Sequence, residues 1–145
     1  GIGVTAYMPL MQGLLTGKYR TPADIPDMRR RSVHFNAANN PQARHGGPGF
    51  ETETMAVVAG LCALAEKCGT DAGTLAIAWL LHQPGVACAM VGCRNAAQVR
   101  QNAASAGYAL SPDVLAELDA LTADLKAKLP RCPDLFLTGE KARVW

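Results

Sequence analysis

The fold of this chain is decided by the stretch MVGCRNAAQVRQN, Met90–Asn102. The apolar run that leads into it, Val86 to Val91, predicts a buried β-strand. Gly92 ends that strand, and Asn95 is a good N-cap for a helix that follows at once. Gln98, three residues after the cap, is placed to complete a capping-box-like pair. The stretch therefore predicts a strand, a tight connection and a helix.

The start of this predicted helix has the chemistry of an anion site. Its first backbone N–H groups lack partners within the helix and favour a phosphate. Arg94 lies just before them, and its planar guanidinium suits phosphate. Amide side chains follow on the first two turns at Gln98, Gln101 and Asn102. The pattern favours a nucleotide cradle, but any βα unit has a glycine and a capped helix, so an ordinary exposed helix start remains the alternative.

Composition excludes several classes of protein. With 145 residues, 49% of them hydrophobic and 18% charged, the chain is typical of a globular domain or of part of one. A net charge of +2 gives no reason to expect nucleic acid or a membrane as a partner, and no apolar segment has the length of a membrane span. The cysteines include no Cys-x-x-Cys pair, which favours reduced, buried thiols in a cytoplasmic protein over disulfides or a zinc site.

Two apolar patterns between the strands predict helices. Residues Thr54 to Lys67 have apolar side chains at three- and four-residue spacing. Residues 75–81 are apolar on every side, which is typical of a helix buried in a core, and Thr70 is the predicted N-cap. After the Asn95 helix, Ser111 begins a final helix as its N-cap.

The order of these elements predicts an α/β fold. An opening strand covers Ile2–Tyr7 and ends before Pro9, which cannot continue a central ladder. Both strands are continuously apolar, as in a parallel sheet that is covered on both faces. Two strands do not make such a sheet alone, so we expect the missing strands before Gly1.

Residues 11–50 predict a long irregular segment with four prolines, of the kind that forms a functional lid or a mobile loop. The run Arg29–Arg31 within it is interpreted as solvated basic surface, with contact to a phosphate as the alternative. The histidines of the chain, His34, His45 and His82, have no carboxylate partner that the sequence identifies. Residues 130–145 predict a loose C-terminal tail.

Five segments, in this order, resemble the aldo-keto reductase family. The segments Gly3–Leu10 and Gly13–Tyr19 resemble the family's seventh-strand region, and residues 75–81 resemble its seventh helix. The segment Val91–Asn102 resembles its eighth strand and cofactor-binding helix, and the leucines after Ser111 resemble its final helix. The resemblance implies a (β/α)8 TIM barrel. Because a whole barrel takes about 250 residues, residues 1–145 would be its C-terminal part, with two parallel strands plus covering helices.

The resemblance also implies an oxidoreductase that reduces aldehydes or ketones to alcohols with NADPH. Residues after the first strand would bind the nicotinamide and the pyrophosphate: Tyr7, Met8, Pro9, Leu10, Gly13 and Lys18. Residues after the second strand would hold the 2′-phosphate and the adenine end: Gly92, Cys93 and Arg94. The helix would line the adenosine pocket with Gln98, Gln101 and Asn102. Because the family often has Ser at positions 8 and 93, Met8 and Cys93 are expected to contribute backbone contacts.

No catalytic residue and no metal ligand are assigned. The family's catalytic Asp, Tyr, Lys and His come from earlier strands, and no motif for them occurs here, so the chain alone is expected to be inactive. Its expected partners are NADP(H), a small carbonyl substrate and the missing N-terminal part of the barrel. Two alternatives stay open: an NADP-sensing subunit, as in the potassium-channel β subunits that resemble this family, and a barrel enzyme that binds a phosphorylated substrate at the same corner.

Overall fold

The computed structural model describes residues 1–130, 134–137 and 140, which form an α/β fold. Strand β1 covers Val4–Tyr7 and strand β2 covers Val86–Met90. The α-helices of the described part are α1 Glu51–Lys67, α2 Ala72–His82, α3 Ala96–Ser105 and α4 Pro112–Lys128. Short 3₁₀ turns cover Met11–Thr16, Pro22–Asp24, Asp27–Arg29 and Ala37–Asn39. The chain divides into two units, the first made of Gly1–Lys18 with Val58–Leu121 and the second of Tyr19–Val57 with Thr122–Trp145.

The two strands of the first unit pair with each other in parallel. Val4 lies opposite Val86 and Tyr7 lies opposite Met90, with an irregularity in register after Val4. The backbone N–H of Val4 also donates to Gly85 O at 2.7 Å. The prediction of two parallel strands is therefore confirmed, and both strands end at the same edge of the sheet.

The prediction that these strands are buried is wrong for the chain as it stands. Val4 is 52% exposed, Met90 is 56% exposed and Tyr7 is 75% exposed. Each strand has its partner on one side only, and no third strand occurs among the described residues. An apolar strand composition is typical of a complete parallel sheet covered on both faces, whereas the described residues supply only two strands.

Helices α1, α2 and α4 contribute to the core of the first unit. Its fully buried members are Leu61, Leu64, Ala65, Ala72, Leu75, Ala76 and Leu118. The apolar stripe predicted for α1 is therefore confirmed. The close approach of α1 to α4 leaves no room for a Cβ atom at Gly60 unless the Leu121 side chain shifts.

Two predicted helix starts need correction. Helix α1 begins at Glu51 and not at Thr54, which places the carboxylates of Glu51 and Glu53 in the first turn, where the helix dipole favours them. The cap of α2 is Asp71 and not Thr70. The backbone N–H of Thr70 instead donates to Ala65 O at 2.9 Å and closes the end of α1.

Residues 19–50 of the second unit belong to the segment predicted to be irregular. They form only 3₁₀ turns, as expected, but several of their side chains are buried. Ile25, Val33 and Phe35 are buried. Asn40 is buried too, and its Nδ2 donates to the carbonyls of Asp27 and Arg30, both at 2.9 Å. The structure does not test whether this segment moves when a ligand binds, so the lid stays a prediction.

The three consecutive arginines of the run Arg29–Arg31 have partners within the second unit. Arg29 Nη1 donates to the Tyr19 hydroxyl at 2.8 Å. Arg30 forms an ion pair of 2.6 Å with Asp27. Arg31 Nε donates to Met28 O at 2.8 Å, and its guanidinium lies 5.9 Å from the ring centroid of Phe136. The run Arg29–Arg31 therefore anchors its own segment instead of presenting three unengaged cations.

The cysteines differ from prediction in their burial. Cys62, Cys68, Cys88 and Cys93 are free thiols, but the first two are half-buried and the last two are exposed. Cys88 is exposed because it lies on the uncovered strand β2. Cys132 lies outside the described residues, as does most of the predicted tail. Within the described helices, none combines the length and hydropathy needed to cross a membrane.

Candidate functional site

The parallel pairing brings two loop segments to one edge of the sheet. Tyr7 and Met90 are paired residues, so Met8 and Val91 leave the sheet side by side. In barrels and open α/β sheets, this carboxyl edge is where ligands bind. The two groups of residues assigned to the cofactor therefore begin at neighbouring points.

The turn after β1 has an unusual backbone. Met8, Met11 and Gln12 have φ values of 57°, 46° and 58°, and Gly13 follows with a φ of 93°. Each non-glycine residue in this left-handed region costs about 1 kcal/mol. Backbone hydrogen bonds hold the turn: Met11 N donates to Met8 O and Gly13 N donates to Leu10 O, both at 2.9 Å. Strained backbone held in this way is concentrated at ligand sites.

Lys18 lies over this turn. A Cβ atom at Gly13 would lie 2.6 Å from Nζ of Lys18 and 2.9 Å from its Cε. Only a glycine at position 13 leaves room for the lysine there, and its positive φ favours glycine for a second reason. The structure thus places an ammonium group directly on the turn after β1, where the sequence expected a phosphate contact.

The start of α3 follows the prediction closely. Asn95 has an extended backbone, and its Oδ1 accepts from Gln98 N at 2.9 Å, as an N-cap does. The reciprocal bond differs by one residue, since Gln98 Oε1 accepts from Arg94 N at 2.9 Å and not from Asn95. The Arg94 side chain is exposed and has no hydrogen bond or ion pair among the described residues. A helix N-terminus and an available guanidinium therefore lie together.

The remaining predicted residues of α3 contact the loop before it or the start of α2. Asn102 Nδ2 lies 3.1 Å from Sγ of Cys93. Gln101 Nε2 donates to Oδ2 of Asp71 at 2.9 Å. The side-chain amide of Asn102 thus contacts the predicted adenine-side loop, and the side-chain amide of Gln101 contacts the N-cap of α2.

Asp71 is the residue of this region that sequence reasoning missed. Its Oδ1 accepts from Thr74 N at 2.9 Å and its Oδ2 accepts from Thr74 Oγ1 at 2.6 Å, in addition to the bond from Gln101. Burial raises the pKa of the Asp71 carboxyl, but the hydrogen bonds from Thr74 and Gln101 outweigh burial and hold the pKa below its usual range. The signal for the cap was present, because Asp71 precedes a strongly apolar helix, but nothing in the sequence indicated the contact with Gln101.

The first turn of α2 links the two halves of the site. A Cβ atom at Gly73 would lie 3.9 Å from Leu10 Cδ2 and 3.7 Å from Thr16 Cγ2, so the turn after β1 packs against it. On its other side, Ser105 Oγ lies 3.3 Å from Thr74 Oγ1, and both residues are buried. The turn after β1 and helix α3 are therefore both positioned by the start of α2.

The described histidines and carboxylates form no alternative centre. No group of three or more His, Cys, Asp or Glu side chains in the described part of the chain is arranged to hold a metal ion. His34 and His45 belong to the second unit, and the site built above lies in the first. The loops at this edge carry two cationic side chains, Lys18 and Arg94, whose chemistry favours an anion.

Comparison with known proteins identifies the family of this chain. The sequence model of the Aldo/keto reductase family matches residues 1–123. The "Probable voltage-gated potassium channel subunit beta" of Arabidopsis thaliana is 32% identical over 103 residues, which is 70% of this chain and 29% of that protein. The "Aldo-keto reductase str7" of Strobilurus tenacellus is 30% identical over 123 residues, which is 83% of this chain and 33% of that protein.

A solved structure shows the same fold. The glycerol dehydrogenase AKR11B4 from Gluconobacter oxydans superposes with a TM-score of 0.63 at 28% identity, over 91% of this chain and 37% of that one. The two parallel strands and their helices are therefore part of a TIM barrel, as the sequence predicted. The chain spans about a third of the length of the relatives that it matches. By its sequence and its fold, this chain belongs to the aldo/keto reductase family.

Proposed function

We propose that this chain is the cofactor-binding portion of an NADPH-dependent reductase that converts aldehydes or ketones to alcohols. The observation that carries the proposal is the meeting, at one sheet edge, of an exposed Arg94 at the start of α3 with the strained turn after β1 and its Lys18. When bound, NADPH supplies the hydride. The residues described here bind and orient it.

The residues present fit a dinucleotide phosphate. An anion at the start of α3 meets backbone N–H groups, and Arg94 adds a charge-assisted contact suited to a second phosphate. Lys18 offers a cation over Gly13, in the turn after β1. The exposed ring of Tyr7 offers a flat apolar surface for the nicotinamide.

The positive φ of Met8 supports a backbone role for that residue. A left-handed residue directly after a strand changes the direction of the chain there, and the carbonyls of Met8 and Leu10 accept hydrogen bonds within the turn. The exposed Cys93 and the glycine at position 92 form the facing loop. A cofactor lying between these loops would be held through backbone and side-chain contacts from both strands.

Replacement of Arg94 tests the role of the 2′-phosphate. Loss of a charge-assisted hydrogen bond costs about 1.5–3 kcal/mol, so Arg94→Ala should weaken NADPH binding by roughly tenfold or more, while NADH binding changes less. Binding to the 145-residue chain is measured by quenching of tryptophan fluorescence. Arg100→Ala is the matched control, because Arg100 is also exposed on α3, and it should leave both affinities within about twofold. Equal losses for NADPH and NADH in Arg94→Ala would exclude the 2′-phosphate role.

A second candidate is an NADP-sensing regulatory subunit. It is favoured by the potassium channel β subunit of Arabidopsis thaliana, to which the chain is 32% identical. Both candidates bind the same cofactor through the same residues. Sustained carbonyl turnover by a complete barrel containing this chain would support the reductase, whereas stable NADP binding without turnover would support the sensor.

The remaining expectations belong to the same proposal. We propose that further barrel strands cover the sheet, which is supported by the exposure of Val4 and Met90 and by the span of about a third of each relative. A small carbonyl substrate would bind where those strands complete the pocket. The free thiols at Cys62, Cys68, Cys88 and Cys93 support a reducing compartment such as the cytoplasm.

A further inference from the structure

The contact between Asp71 and Gln101 restricts how the Gln101 amide is oriented. Asp71 is held in place by Thr74, through a backbone bond of 2.9 Å and a hydroxyl bond of 2.6 Å. Thr74 is buried and contacts the buried Ser105 of α3. The Asp71 carboxylate is therefore fixed by a buried framework, although the carboxylate itself is at the surface.

An ionised carboxylate accepts hydrogen bonds and has none to donate. The side chain of Gln101 therefore contacts Asp71 through its NH₂ group, at 2.9 Å. The reversed amide would bring its carbonyl oxygen against a negative charge, with no proton between them. The Asp71 pKa lies below its usual range, so the carboxylate stays ionised at neutral pH. The amide oxygen of Gln101 is consequently directed away from Asp71.

We propose that Asp71 is a positioning residue that sets the polarity of the Gln101 amide and thereby selects the base of the cofactor. This inference rests on the proposed function, which places Gln101 in the adenosine pocket. An amide oxygen facing the base accepts from the exocyclic amino group of adenine, which is a donor. It disfavours hypoxanthine, which carries a carbonyl acceptor at the same ring position.

The experiment compares two dinucleotides that differ at this one group. The affinities of NADP⁺ and of nicotinamide hypoxanthine dinucleotide phosphate are measured on the 145-residue chain and on Asp71→Asn. Asn is as good an N-cap as Asp, so α2 keeps its start. The side chain of Asn also has both a donor and an acceptor, so Gln101 is free to turn over. Asp113→Asn, in the first turn of α4, is the control for loss of one exposed negative charge.

The test depends on the ratio of the affinity for NADP⁺ to the affinity for the hypoxanthine dinucleotide. The separate affinities do not decide it, because loss of a negative charge in either variant strengthens the binding of both anionic ligands. A neutral hydrogen bond is worth about 0.5–1.5 kcal/mol net, so we expect NADP⁺ to be preferred about fivefold by the original chain and by Asp113→Asn. In Asp71→Asn the preference should fall to about twofold or less. An unchanged ratio in Asp71→Asn, or no preference in the original chain, would overturn the inference while leaving the proposed function intact.

A measurement without nucleotide tests whether Asp71 positions the Gln101 amide, independently of whether that amide selects the base. The ¹H and ¹⁵N resonances of the Gln101 side-chain amide should shift in Asp71→Asn and stay unchanged in Asp113→Asn. Unchanged resonances in Asp71→Asn would overturn the positioning role directly. Failure of the original chain to bind either dinucleotide would instead reject the proposed function and, with it, the selection of the base.

Discussion

His34 and His45 are buried in the second unit, and burial determines their protonation. The ring Nδ1 of His34 lies 3.2 Å from Ser32 Oγ, and Gly47 N donates to Nδ1 of His45 at 3.1 Å. Burial, together with a smaller effect of the positive charge that His45 would carry, lowers the pKa of His34 to about 4. Burial also lowers the pKa of His45, against a backbone hydrogen bond to Ser32 that raises it. Both rings are therefore neutral in the folded chain at neutral pH.

This predicts a loss of stability in acid. An unfolded histidine has a pKa near 6.5, so the unfolded chain binds protons more readily than the folded one as the pH falls below that value. The free energy of unfolding should be constant above about pH 7 and fall between pH 6.5 and 4, by about 3 kcal/mol for His34 alone. Urea unfolding at a series of pH values measures it. His34→Gln should flatten this fall, and His82→Gln, at an exposed position, should not.

At the scale of single residues, the sequence predicted the positions of capping and charged groups better than their partners. Asn95 was predictable because its cap depends on local spacing. The partner of Gln101 was not, since Asp71 lies 30 residues earlier and meets it only after α2 and α3 pack together. The partners of Arg29, Arg30 and Arg31 were equally hidden, because a run of arginines has the same composition whether it is solvated or anchored.

The turn after β1 is the element whose conformation decides the position of Lys18. Gly13→Ala would place a methyl group 2.6 Å from Lys18 Nζ at a φ of 93°. We expect a loss of about 1–2 kcal/mol in stability from the left-handed backbone, and weaker NADPH binding because Lys18 is displaced. Gly46→Ala is the matched control. Gly46 has a φ of 70°, but a Cβ atom there would have no other atom within 4 Å, so stability should fall and NADPH affinity should not change. Equal NADPH affinity in both variants would contradict the role of Lys18.

At the scale of elements, local patterns predicted where helices and strands lie but not how they are covered. The stripe of α1 and the apolar run of α2 face the core of the first unit, as expected. The apolar runs of β1 and β2 have the same composition as buried strands but lie exposed. Composition indicates the environment for which a strand is suited, and the described residues supply no further strand beside these two.

For the whole molecule, the exposed sheet predicts self-association. Among the described residues each strand has one edge without a partner strand, and Val4 and Met90 are more than half exposed. Unpaired, apolar edges pair readily with other chains. The 145-residue chain should therefore form dimers or larger species, measured by sedimentation velocity. Val4→Lys should shift it toward the monomer, whereas Val99→Lys, equally exposed but on helix α3, should not.

The last prediction is that the 145-residue chain alone does not reduce carbonyl compounds. Hydride transfer requires a proton donor at the developing alkoxide, and a positioned general acid contributes about 10²–10⁴-fold. The Tyr108 hydroxyl donates its proton to Cys68 O at 3.2 Å, and Tyr19 belongs to the second unit, whereas the candidate site lies in the first. Tyr7 is 75% exposed, where water surrounds its hydroxyl and screens any partner.

The assay follows NADPH oxidation with a reactive aldehyde, at a protein concentration where NADPH binding has been shown separately. We expect a rate equal to that of buffer with NADPH and aldehyde. A full-length family member provides the positive control. Turnover that scales with the concentration of the chain and disappears in Tyr7→Phe would contradict this prediction and assign the donor to Tyr7. Bound NADPH without turnover is the expected result, because the proposed function assigns cofactor binding to this chain and assigns no general acid to it.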